Sequence, residues 1–220
     1  MITFAIHGYE GVNPAGGFGP LRAEFEKRGF PCRIFLSTRQ RIYRSTPGQQ
    51  TKMTNQGRVT FKIEATKTPN QDRAKFMVEA LRDVEGEIAL IGVSNQGLFM
   101  PLVAAARPIR RIVMINAVIP HPGQSFIKGS KGERVWAHFL TGFIARRAIG
   151  MNEVCPLTEL PKVEYVYICG EKDDAIRPEW EQWAARQYLH VEPVVIKGAG
   201  HANIVLDYVG EVVDAAIKGL

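Results

Sequence analysis

The sequence predicts an α/β fold: a doubly wound, mostly parallel sheet of about six strands with helices on both faces. Two patterns predict it. Short apolar runs without strict polar alternation recur along the chain, which is typical of strands buried on both faces of a parallel sheet. Helical patterns separate these runs, as in right-handed βαβ units. A chain of 220 residues with 45% apolar content suits a single domain, residues 1–220, with a full core.

The expected elements follow in order along the chain. Strands are predicted at 2–6, 32–36, 88–93, 112–115, 163–169 and 191–196. Helices are predicted at 21–28, 72–84, 97–106, 178–189 and 202–217. The first helix places Leu21 and Phe25 on one face and stops at Gly29, and the second follows the turn residues Pro69 and Asn70.

Two segments interrupt this alternation. Residues 38–68 form a basic insertion, in which the alternating run Arg58–Glu64 predicts an edge strand or a small hairpin outside the main sheet. Residues 120–160 predict a small helical cap. Within that cap segment, apolar residues at helical spacing between Val135 and Ile149 need a surface to cover. They are Trp136, Phe139, Leu140, Phe143 and Ile144.

The net charge of +6 is concentrated around the basic insertion. Nine Lys and Arg residues stand between Arg39 and Lys75 against two acidic residues. A solvated insertion or a site for a small anionic ligand explains this cluster better than nucleic acid does, because Tyr43 and Phe61 are too few aromatic residues for base stacking.

A serine follows the central predicted strand in the run Ile88-Ala-Leu-Ile-Gly-Val-Ser94-Asn-Gln-Gly97. A sharp strand-to-helix turn projects a serine hydroxyl above the sheet, while the following helix start presents N–H groups to a developing oxyanion. Gln96 occupies the position where glycine is usual in the G-x-S-x-G pattern, and the glycine follows at Gly97.

Three further motifs end at predicted strands. The first strand closes in His7-Gly8-Tyr9. The run Gly170-Glu-Lys-Asp173-Asp174 precedes Pro178, and Gly198-Ala-Gly200-His201 precedes the last helix. Open parallel sheets place their sites at the carboxyl ends of strands, so these residues are expected near Ser94.

These four motifs, in the order serine, acid, histidine, resemble the α/β-hydrolase family over essentially the whole chain. The resemblance implies a catalytic triad of Ser94, Asp173 and His201, with Asp174 as the alternative acid. It implies oxyanion donors at the backbone N–H groups of Asn95 and Tyr9, with Gly8 as an alternative to Tyr9. It further implies a family core that lacks its first two strands here. This shortened core, together with the segment Glu179–Trp183 after the acid, is similar to the branch of small esterases and hydroxynitrile lyases.

The function expected from this resemblance is cleavage of a carboxylic ester or thioester through an acyl-serine. A lyase or acyl-transfer enzyme on the same fold, and an inactive hydrolase fold that binds a ligand, remain alternatives. The inactive alternative rests on Gln96, on the two possible acids and on the basic insertion. Gly8, Arg39 and Trp136 are candidate substrate contacts. Arg39, together with Arg41 and Arg44, would meet an anionic group of the substrate.

Several classes of protein are excluded or disfavoured. The uncharged run near the middle of the chain is too interrupted for a membrane helix, and the first residues resemble a strand rather than a signal peptide. The three cysteines form no C-x-x-C pair, which favours a reduced cytoplasmic compartment. The histidines show no metal-ligand spacing and the first glycines no G-x-G-x-x-G fingerprint, so no metal or cofactor is expected. The sequence leaves the oligomeric state open.

Overall fold

The computed structural model describes residues 1–9, 17–37, 48–54, 57–63, 69–145 and 149–220. Its strands are β1 (Ile2–Tyr9), β2 (Cys32–Ser37), β3 (Gly48–Thr54), β4 (Gly57–Ile63), β5 (Glu87–Val93), β6 (Arg111–Ile115), β7 (Glu164–Gly170) and β8 (Val194–Ile196). Its helices are α1 (Gly19–Lys27), α2 (Asn70–Ala80), α3 (Met100–Ala106), α4 (Phe126–Gly129), α5 (Phe139–Ala145), α6 (Ile149–Asn152), α7 (Pro178–Ala184) and α8 (Val209–Ile217).

Six of the strands form one parallel sheet in the order β2-β1-β5-β6-β7-β8. Chain order reverses between β1 and β5, which gives the doubly wound topology that the sequence predicts. The predicted fold class is therefore confirmed, and the six main strands lie where they were expected to within a few residues. β3 and β4 pair antiparallel as a separate hairpin, as the alternating run in the basic insertion indicated.

Alternate residues of the central strands pack into two apolar cores, one on each face of the sheet. Ile88 and Leu90 of β5 pack with α2, α3 and α7, whereas Ala89 and Ile91 pack with α1 and α8 on the opposite face. This period of two follows from the strand geometry, and burial on both faces explains why these strands carry so few polar residues.

Three predicted helices differ from the observed ones. The helix expected from residue 97 is a 3₁₀ turn over Ser94–Leu98 followed by α3. The helix expected over 178–189 is α7 followed by a π turn over Ala185–Leu189, and the one expected from residue 202 begins at Val209 after a 3₁₀ turn. Periodicity alone detects the helical face but not these changes of winding.

The cap segment is less regular than its apolar pattern predicts. The helical spacing noted between Val135 and Ile149 corresponds to α5 over Phe139–Ala145, whereas Trp136 precedes that helix and makes an isolated bridge with Ile176. Phe139 is 88% exposed and Phe143 is 43% exposed, with their rings stacked on each other. The exposed side of α5 therefore covers neither the body of the domain nor its core.

No helix among the described residues is long and apolar enough to cross a membrane. The cysteines Cys32, Cys155 and Cys169 are buried and are not joined by disulfide bonds.

Candidate active site

The turn after β5 holds Ser94 in a left-handed backbone conformation, with φ of 56°. This conformation is unfavourable for a residue with a Cβ and is kept when the surroundings enforce it. Glycines permit the close packing around the turn. A Cβ on Gly92 would lie 2.8 Å from Met100 Cγ, and a Cβ on Gly97 would lie 2.1 Å from the carbonyl oxygen of Val118. Glycine is therefore required at 97, where the chain passes the end of β6.

Gln96, the departure from the usual pattern, stabilises the turn. Its amide nitrogen donates to the carbonyl oxygen of His7 at 2.9 Å, and its side-chain oxygen accepts from the N–H of Val93 at 3.1 Å. The side chain is buried, with 5% exposure. It joins the end of β1 to the end of β5, so the larger residue does not loosen the turn.

Ser94, His201 and Asp173 form a continuous hydrogen-bonded chain. His201 Nε2 lies 2.9 Å from Ser94 Oγ, and His201 Nδ1 lies 2.6 Å from Asp173 Oδ2. The imidazole side chain is 19% exposed and the Asp173 carboxylate is fully buried. A carboxylate on Nδ1 fixes the tautomer that leaves Nε2 able to take a proton from the hydroxyl.

The position of Asp173 is set by its own loop. Its Oδ1 accepts from the N–H groups of Ala175 and Ile176, at 2.7 and 2.8 Å. Both oxygens of the carboxylate are thus engaged, one by the loop and one by His201. Of the two acids that the sequence left open, Asp173 is the one that contacts the histidine.

The residues before α5 in the cap segment are hydrogen-bonded to the loop that carries Asp173. Ala137 N–H donates to the carbonyl of Ala175, and Arg177 N–H donates to that of Val135. Farther out, Glu133 accepts from Trp180 Nε1 at 2.6 Å and from Tyr188 Oη at 2.7 Å. These bonds fix Trp136 beside the acid loop, where its ring also packs against Phe126.

The candidate oxyanion donors lie at the ends of two neighbouring strands. β1 pairs with β5 as far as Ile6 and Ile91, and Tyr9 and Ser94 each follow that pair by three residues along the chain. Asn95 is the second residue of the 3₁₀ turn. Gly8 is packed against β2, where a Cβ would lie 2.8 Å from Leu36 Cδ2.

The basic cluster is only partly described. Arg39, Arg41 and Arg44 lie outside the described residues. Arg73 does not contribute to an exposed patch, because its side chain is 2% exposed and its guanidinium lies 5.6 Å from the centre of the Phe99 ring.

Two buried titratable groups flank the site. Burial, aided by the positive charge of Arg73, lowers the pKa of His7 to about 4. His7 packs edge-on against Phe76 and Phe99, as a core histidine does. On the other side, burial raises the pKa of Glu181 well above its usual value, and the nearby Asp173 charge raises it further.

No sequence pattern singled out Asn116 or Glu181, and Arg73 was counted with the basic cluster. Asn116 follows the buried run of β6, at the same edge as the other site residues, so its place at the end of a strand was the pattern that could have found it. Glu181 and Arg73 stand among other polar residues in the sequence of predicted helices, and no pattern marks their side chains as buried.

A parallel sheet whose strand ends carry a strained serine, an acid and a histidine defines the class of α/β-hydrolase folds. Residues 68–215 match the model of the alpha/beta hydrolase family, and this protein belongs to that family. The family predicted from the four motifs is thus confirmed. No curated protein sequence matches the chain significantly.

Solved structures share the fold over nearly the whole chain. Polyneuridine aldehyde esterase has a TM-score of 0.64 at 12% identity, over 98% of this chain and 100% of its own. A pyrethroid hydrolase from Sphingobium faniae JZ-2 has a TM-score of 0.56 at 15% identity, with 99% of each chain covered. An extracellular alpha/beta-hydrolase from a Paenibacillus species has a TM-score of 0.58 at 16% identity, over 99% of this chain and 98% of its own.

Proposed function

We propose that this protein is a serine hydrolase that cleaves a carboxylic ester or thioester through an acyl-serine intermediate. The observation that carries the proposal is the hydrogen-bonded chain from Ser94 Oγ through His201 to Asp173, with contacts of 2.9 and 2.6 Å. A hydroxyl is a weak nucleophile until a base is held within reach of its proton, and this arrangement supplies that base.

The reaction would proceed in two halves. His201 Nε2 accepts the proton of Ser94 Oγ as the oxygen attacks the substrate carbonyl, and the N–H groups of Asn95 and Tyr9 stabilise the oxyanion. His201 then returns the proton to the leaving alcohol or thiol as the bond to it breaks. A water molecule, deprotonated by His201, attacks the acyl-serine, and His201 returns that proton to Ser94 Oγ as the bond to the acyl group breaks and the acid is released. Asp173 stabilises the imidazolium in both halves.

Several observations support an active protein over an inactive relative. Gln96 stabilises the serine turn instead of opening it. Asp173 is held by two backbone N–H groups in the orientation that His201 needs. Ser94 keeps a strained conformation, which proteins tend to retain at functional sites.

The substrate that we propose is a small molecule with an apolar group beside the ester. Trp136 is half-buried next to the acid loop and offers such a group an aromatic surface. Arg39, Arg41 and Arg44 follow β2 in the sequence and support an anionic group on the same substrate.

Covalent labelling tests the nucleophile before the substrate is known. The protein is incubated with a fluorophosphonate probe and its intact mass is measured, alongside Ser94→Ala and His201→Ala. Ser130→Ala is the matched control, because the Ser130 hydroxyl is buried and donates to the carbonyl of Phe126. We expect one adduct on Ser94, lost in the first two variants and kept in the control. A folded wild-type protein that takes no adduct would refute the proposal.

A further inference from the structure

Asn116, the residue directly after β6, has a backbone conformation and a degree of burial that are unusual together. Its φ is 43° and its side chain has no exposed surface. Asparagine tolerates the left-handed region better than other residues with a Cβ, and its amide carries both a donor and an acceptor. A buried amide is costly unless both are used.

The two ends of this amide bind the two loops that follow β7 and β8. Oδ1 accepts from the N–H of Gly170 at 2.8 Å, and Nδ2 lies 3.2 Å from the carbonyl oxygens of both Gly200 and His201. Since one side faces an N–H and the other faces carbonyls, the partners allow a single orientation of the amide. Gly170 closes β7 three residues before Asp173.

The same stretch of chain holds the serine turn. Val118 N–H donates to the carbonyl oxygen of Ser94 at 3.1 Å, and the Val118 carbonyl lies where a side chain on Gly97 would stand. Residues 116–118 therefore contact the serine turn and the loops of the acid and the histidine. β6 lies between β5 and β7, so its end lies between the serine turn and the loop of the acid.

We propose that Asn116 is a positioning residue that sets the distance and angle between His201 and Ser94. This inference rests on the proposed function, since it assumes that His201 acts on Ser94. Proton transfer in such a pair depends on separations of about 3 Å, and a displacement of about 1 Å can cost 100-fold in rate. Asn116 touches no substrate and acts through the backbone of the His201 loop.

Two variants separate this role from general stability. In Asn116→Gly the left-handed backbone is retained without strain, and the hydrogen bonds to both loops are lost. Asn116→Asp keeps the acceptor for the N–H of Gly170 but places a carboxylate oxygen against the carbonyls of Gly200 and His201. Arg111→Gln is the control. Arg111 lies at the opposite end of β6, is fully buried, and donates to the carbonyls of Ala216 and Lys218.

We expect both Asn116 variants to label with the fluorophosphonate about 10- to 100-fold more slowly than wild type. Their kcat for a p-nitrophenyl ester should fall by a similar factor with little change in KM. Amide hydrogen exchange should become faster in peptides covering 198–206. Arg111→Gln should lower the melting temperature and leave the labelling rate and the exchange of 198–206 unchanged.

Wild-type labelling and turnover in Asn116→Gly would overturn the inference, even if exchange became faster, because the side chain would then stabilise the loop without aligning His201. Unchanged exchange in 198–206 would overturn it as well. A wild-type protein that takes no label refutes the proposed function instead. Hydrogen exchange in that case still decides whether Asn116 holds the His201 loop.

Discussion

The side chain of Gln96 joins the carbonyl oxygen of His7 to the N–H of Val93, two backbone groups on neighbouring strands. Gln96→Gly, which restores the usual pattern of the family, is therefore expected to destabilise the protein. Both groups would lose a buried partner, at a cost of about 1 to 3 kcal/mol. Urea unfolding measures the change. Gln187→Gly, at an exposed position, is the control and should lower the free energy of unfolding by about 1 kcal/mol or less. A Gln96→Gly protein as stable as wild type would contradict the role of Gln96.

The lowered pKa of His7 predicts that the folded protein loses stability in acid. Its pKa of about 4 in the folded protein lies below the value of about 6.5 expected when unfolded, so the unfolded chain binds the extra proton first. Stability from this group is complete above pH 6.5 and falls as the pH drops toward 4, by up to about 3 kcal/mol. His7→Gln should be less stable than wild type at pH 7, with a difference that narrows toward pH 4. His138→Gln, at an exposed position, should parallel wild type throughout.

The raised pKa of Glu181 predicts the opposite trend, a loss of stability as the pH rises. Tyr167 has one hydroxyl proton, and its oxygen lies 2.5 Å from the Ala117 carbonyl and 3.3 Å from Glu181 Oε1. That proton is shared between the two acceptor oxygens, and the side chain of Glu181 is fully buried. Because burial raises the Glu181 pKa, the folded protein binds a proton that the unfolded chain releases, and stability falls as the pH rises above the unfolded value.

Glu181→Gln should therefore be stabilising at pH 8 and less so at pH 5, as measured by melting temperature at several pH values. A glutamine side chain has nearly the same size, keeps an acceptor oxygen for the Tyr167 hydroxyl and does not ionise. Glu179→Gln on the same helix is exposed and should change the melting temperature little. An advantage of Glu181→Gln that did not grow with pH would contradict a raised pKa of Glu181.

The basic insertion predicts a preference for anionic substrates. Replacing Arg39, Arg41 and Arg44 together by alanine should raise KM about 10-fold for an ester with a carboxylate or phosphate, equivalent to about 1.4 kcal/mol. The neutral ester of the same alcohol should be unaffected. Added salt should weaken the wild-type preference, since it screens exposed charges. Equal effects on both esters would exclude a direct contact between these arginines and the anionic group.

The sequence was sufficient for the fold because the strands of this sheet are buried on both faces and read as apolar runs. The resemblance to the α/β-hydrolase motifs named Ser94, His201 and either Asp173 or Asp174, and their catalytic roles remain a prediction. The choice between Asp173 and Asp174 depended on which side chain turns toward His201, a matter of loop geometry.

Other features could not be read from residue types. Trp136 and Phe143 share a helical spacing, yet one pairs with the acid loop and the other is exposed, because the cap segment follows the contacts of Glu133 and Arg177 instead of its own periodicity. Arg73 belongs by sequence to a basic cluster and by structure to the core. Contacts between residues far apart in the sequence decide which of these side chains are buried, and no local sequence pattern encodes those contacts.

β8 is three residues long, lies at the edge of the sheet and pairs with β7 alone among the described strands. Short edge strands open more readily than central ones, so this end of the sheet is expected to exchange between closed and open forms while the rest stays folded. The histidine loop directly follows it. Loss of the contact between His201 and Ser94 would then precede global unfolding, and mild heat or denaturant would break it while the core formed with α2 and α3 remains packed.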